Sequence, residues 1–91
     1  MKEAIKLAIE DGIEDLEKYK DEEIYLDCLR IKNNEIIEIL ESLGYKQSNR
    51  YTYGQEKDTK ILFQKEGHPN LVFNYGGLYA FQHLYCESTD N

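Results

Sequence analysis

The hydrophobic rhythm of this 91-residue chain changes once, at Gly44. Before Gly44, apolar residues recur every three to four positions among glutamates. After it, tyrosine, threonine, phenylalanine and glycine replace the glutamate and isoleucine of the first half, and the aromatics from Phe73 to Tyr85 stand on alternate positions. Side chains three to four apart share a helix face, and side chains two apart share a sheet face. A chain of this length has room for one domain. The expected fold is α+β: two N-terminal amphipathic helices packed on a C-terminal antiparallel β-meander of three to four strands, in two layers. Residues 1–44 form an acidic helical half, 45–86 the sheet and 87–91 a polar tail.

Over Glu3 to Lys20, Ile5, Ala8, Ile9, Ile13 and Leu16 fall on one stripe, and Glu3, Glu10, Glu14, Glu17 and Asp21 fall nearly opposite. Gly12 costs the helix about 1 kcal/mol against alanine. Asp21 then reads as an N-cap, followed by Glu22 and Glu23 at the positive end of a new helix. The next stretch, EIYLDCLRI, has two readings. Ile24, Leu26 and Cys28 alternate with Tyr25, Asp27 and Leu29, as in a strand. A helix accounts for more residues: Tyr25, Leu29, Ile36, Leu40 and Leu43 share one phase, and Glu23, Asp27, Asn34, Glu38 and Glu41 the opposite one. The prediction is therefore a helix over 23–43, interrupted at most at Asn33-Asn34 and closed by Gly44.

Beyond Gly44, strands are predicted at 45–53, 59–65, 71–75 and 78–85, with turns at 54–58, 67–70 and 76–77. Between Phe73 and Tyr85 the aromatics all stand on odd positions. If Gly76-Gly77 is the whole loop, Phe73 and Tyr75 share a face with Leu78, Ala80 and Leu84, while Tyr79, Phe81, His83 and Tyr85 line the other. If the loop is Tyr75-Gly76-Gly77, then Phe73, Tyr79, Phe81, His83 and Tyr85 share one face. Loop length decides between them. In either case Tyr79, Phe81, His83 and Tyr85 stay together, and Tyr51 and Tyr53 extend the set. They are the core face under the helices, or a surface patch of the residue type that interfaces favour.

Formal charge is −7, and residues 1–44 carry thirteen acids against six bases while 45–91 carry five of each. That layout disfavours direct nucleic-acid binding and anionic membranes, both of which need a positive footprint. The opening MKEAIKLAIEDG has Glu3, Glu10 and Asp11 where a secretory signal needs apolar residues, and no run is long enough to span a bilayer. A cytoplasmic protein is expected, with Cys28 and Cys86 as reduced thiols, Cys28 buried and Cys86 exposed near the tail. Cys28, His68, His83 and Cys86 could in number fill a zinc site, but only His83 and Cys86 are close in sequence, and on a strand they point apart. No metal, cofactor or catalytic constellation is predicted, and the chain reads as a non-enzyme. Its richness in Ile, Lys, Glu, Asn and Tyr suits a low-G+C bacterium or its phage.

The functional expectation is a small acidic protein-binding module of inhibitor or immunity type. It would occupy a basic surface of a nucleic-acid-handling partner, with Glu10, Glu14, Glu17 and Asp21 mimicking a phosphate backbone and the aromatic face adding contact area. The alternative is a nucleotide or flat aromatic ligand held by Tyr51, Tyr53, Tyr79, Phe81, His83 and Tyr85, within one chain or across a homodimer.

Overall fold

The computed structural model describes residues 2–78 and 80–87. Tyr79, one of the predicted aromatic-face residues, and tail residues 88–91 lie outside them. Helix α1 spans Lys2–Lys18 and α2 Asn33–Ser42. The strands are β1 Glu23–Tyr25, β2 Lys46–Tyr53, β3 Asp58–Gln64, β4 Leu71–Tyr75 and β5 Gln82–Cys86. All neighbours pair antiparallel in the order β1-β5-β4-β3-β2. The α+β class holds, but the sheet has five strands, and the first lies between the helices.

The extra strand corrects the helix predicted over 23–43. Residues 23–25 pair with Tyr85, Leu84 and His83, and 27–29 form one 3-10 turn ended by Arg30 at φ 54. Tertiary pairing overrides the helical pattern here because Ile24 and Leu26 gain burial at the sheet edge. The Asp27 carboxylate accepts the Gln82 backbone N–H at 3.0 Å, so it is tied to the sheet and not to a helix face. Gln82 in turn donates its amide to Ile31 O and Asn33 Oδ1, fastening the start of α2. The far end of α2 closes as the rhythm change predicts. Gly44, at φ +100, donates to Glu41 O, and Tyr45 donates to Leu40 O, the paired bonds of a Schellman stop.

One face of the sheet is sealed by the helices. Ile9, Ile13 and Leu16 of α1 and Ile36, Ile37 and Leu40 of α2 pack with Ile61, Phe63, Leu71, Phe73, Leu84 and Cys86. Ala8, predicted on the α1 stripe, is exposed. Gly12 has a packing role: a Cβ there would lie 2.7 Å from Ile24 Cδ1, so its absence lets β1 dock on α1. The cysteines reverse their predicted places. Cys28 is exposed in the 3-10 turn, and Cys86 is buried with Sγ 3.4 Å from Leu16 O. Glu87, assigned to the tail, continues the β4–β5 pairing by donating its backbone N–H to Asn70 O. Among the described residues, no helix is long and apolar enough to cross a membrane.

Candidate functional site

The face away from the helices is assembled by register. Phe73 pairs with Leu84 and Tyr75 with Gln82, so β4 and β5 are joined by residues 76–81. Both predicted hairpin loops were too short, and the last strand begins at Gln82, not Leu78. The observed pairing differs from the two-residue version by four positions, an even number, so its division of faces survives within β4 and β5, while Leu78 and Ala80, expected on the core face, are exposed in the connection. Phe73, Leu84 and Cys86 turn to the core, while His83 and Tyr85 turn away.

A bulge does the rest. Gln47 pairs with Phe63 but Asn49 pairs with Leu62, leaving Ser48 as an extra residue in β2. The insertion inverts the alternation. Tyr45 goes to the core, while Tyr51 and Tyr53, at odd positions like it, come out on the open face. Two rows cross the sheet there: Tyr51, Lys60, Asn74, His83 and Tyr25, and beside them Asn49, Leu62, Val72, Tyr85 and Glu23. Tyr25 is 58% exposed and Tyr51 49%, at opposite edges, while Val72 in the centre is 8% exposed.

The polar tips of this face bond one another. The Tyr53 hydroxyl donates to Asn74 Oδ1 at 2.9 Å, reaching across β3. Lys60 Nζ lies 5.3 Å from the Tyr53 ring centre, with the Tyr85 and Tyr51 hydroxyls near enough to act on its charge. Desolvation pulls the Lys60 pKa down, but the Tyr85 and Tyr51 oxygens outweigh it and the net shift is upward. Burial raises the Tyr85 hydroxyl, with Lys60 pulling the other way. His83 Nδ1 contacts Glu23 Oε1 at 2.8 Å, the Tyr25 ring meets His83 edge-on at 4.5 Å, and Phe81 lies 5.2 Å from it. Tyr25 and Glu23 were placed on a helix by the sequence pattern. The alternation in EIYLDCLRI was the signal that could have found them.

The predicted acidic face divides. Glu10 and Glu14 are exposed on α1 and Asp21 is exposed in the following turn, but Glu17 is half-buried and paired with His68 Nδ1. Glu10, Glu14 and Glu17 border a cleft of about 160 Å³ at the seam of α1 and the sheet, where they face Lys65 and His68. The stripe therefore flanks a seam that supplies its own basic side chains. Cys28, His68, His83 and Cys86 are not brought together: His83 and Cys86 lie on opposite faces of β5. No protein-family model, curated protein or solved structure matches this chain.

Proposed function

We propose that this protein is a protein-binding module that acts by occupying its partner, in the manner of an inhibitor or immunity protein, through the open face of its sheet. The observation that carries the reading is the state of that face. Tyr25, Tyr51 and Tyr53 are exposed and Phe81 and Tyr85 half-buried, with no described helix packed over them, while Tyr53 with Asn74 and His83 with Glu23 are already bonded laterally. Rings fixed in this way lose little conformational freedom on contact, which favours association. A small-molecule site needs a concavity with converging polar groups, whereas here the polar groups turn toward one another across a sheet.

The acidic layer lies on the other side of the molecule. Glu10, Glu14 and Asp21 supply a long-range field toward a basic partner, and the sheet supplies the contact area. A flat anionic ligand is the second reading, favoured by the Lys60 ammonium among Tyr51, Tyr53 and Tyr85. Titration with nucleotides, followed by tyrosine fluorescence, tests it.

The test compares three alanine variants with the parent. Tyr25→Ala and Tyr51→Ala should melt close to the parent, whereas Leu84→Ala, fully buried, should lose about 2–5 kcal/mol. Proteins co-purified with the tagged chain at low and moderate salt, identified by mass spectrometry, should be lost from the two tyrosine variants. Companions kept by those variants and lost from Glu10→Gln/Glu14→Gln would move the site to the helices.

A further inference from the structure

Resting on the reading of the open face as a contact surface, we infer that its occupant is a second copy of this chain, packed sheet to sheet about a two-fold axis. Charge is the first argument. The register puts Glu23, Asp58 and, continuing β5, Glu87 on this face with Lys46 and Lys60, so it carries a formal charge of only −1 in a chain of −7. The acid excess is carried elsewhere, with Glu3, Glu10, Asp11, Glu14 and Asp15 exposed along α1. Two copies meeting through their sheets turn both acidic layers outward. With layers packed about 10 Å apart, these end roughly 30 Å from each other, several Debye lengths at physiological salt. Any approach through the helices would set like charge against like.

Shape is the second argument. An isologous interface needs a patch that fits itself. This face has Tyr25 standing at one edge, Tyr51 and Tyr53 at the other, and Leu62 and Val72 as a low floor between them. A tyrosine rim of one copy can seat on the Leu62–Val72 floor of the other, and the two-fold repeats the contact.

Size sets the strength. Five strands about 4.8 Å apart and roughly 10–26 Å long give a face on the order of 450 Å², below the ~800 Å² per partner of a standard interface. A face of this size belongs with the weak, transient class of contacts, so the dimer is expected to form and dissociate reversibly within the micromolar-to-millimolar range.

Sedimentation equilibrium of the full chain, from micromolar to millimolar, is the experiment. The expected result is a mass moving from 10.7 kDa toward twice that value as concentration rises. Leu62→Lys and Tyr51→Ala should each weaken the dimer at least about tenfold. Tyr51 is 49% exposed, so its variant should melt close to the parent and stand as the control for folding. A monomer throughout the range, or a dimer indifferent to both substitutions, would overturn the inference. If the monomer captures a companion that Tyr25→Ala loses, the second copy fails and the contact surface stands. If its companions ignore the tyrosines, both fail.

Discussion

The hydroxyl of Tyr53 donates to Asn74 Oδ1 at 2.9 Å, although the two residues belong to strands separated by β3. The bond lays the Tyr53 ring across Lys60, whose Nζ stands 5.3 Å from its centre. Tyr53 is 39% exposed, so the bond belongs at the low end of the usual range, about 0.5 kcal/mol. A double-mutant cycle of Tyr53→Phe and Asn74→Ala in urea should show that coupling. Additive effects would mean that the ring is not held.

Asp27 separates the strand from the helix that the sequence pattern suggests. On a helix, Asp27→Ala would be neutral or stabilising, because alanine has the higher propensity. Accepting the Gln82 N–H, it should instead cost about 1–2 kcal/mol, since a charge-assisted bond is lost. Hydrogen exchange should quicken at Leu26, whose N–H bonds Gln82 O, ahead of the amides of β3. A stabilised variant would restore the helix over 23–31.

The rhythm change at Gly44 was legible because local rules decide it: a glycine stop, then alternation in a half-buried sheet. The 71–75 strand was read to the residue. What was not legible depends on distant partners. Glu23–Tyr25 is a strand only because β5 offers it an edge, and no window of nearby residues contains β5. Ser48 is a bulge only relative to β3, yet it decides where Tyr51 and Tyr53 point. Cys86 stands next to a polar tail, which suggests exposure, but its pairing with Leu71 carries it under α1. The grouping of Phe81, His83 and Tyr85 was legible through parity, which survives any even slip of register.

The thiols should differ in reactivity. Cys28 is exposed, whereas Cys86 is buried and burial pushes its pKa up, so little thiolate is present near neutrality. An aromatic disulfide reagent should therefore label one thiol quickly and the second only as the chain unfolds. Cys28→Ser should abolish the fast phase. Two fast equivalents would contradict the burial of Cys86.

Gly77 should tolerate no side chain. A Cβ there would stand 2.0 Å from the Glu56 carbonyl oxygen and 2.6 Å from that of Lys57, which are backbone atoms that cannot rotate away. Its N–H also donates to Asp58 Oδ1 at 3.1 Å, fixing the 76–81 connection against the β2–β3 turn. Gly77→Ala should cost about 1–3 kcal/mol by forcing the two loops apart. A melting temperature unchanged from the parent would show that they are not in contact.

Tyr45 should govern the alkaline limit of stability. It is buried where α2 hands over to β2, with Lys65 Nζ 5.4 Å from its ring centre and His68 packed edge-on at 6.4 Å. Burial, followed by the charges of Glu17 and Cys86, pushes its pKa from 10.0 up to about 12. The folded chain therefore holds this proton more tightly than the unfolded chain. The resulting stability is fully present below pH 10 and is lost as pH rises toward about 12. Tyr85, raised in the same direction, adds to the loss on the other face. Tyr45→Phe keeps the ring and removes the titration, so urea midpoints measured above pH 9 should fall less steeply than in the parent. Identical slopes would mean that the Tyr45 hydroxyl reaches water in the folded chain.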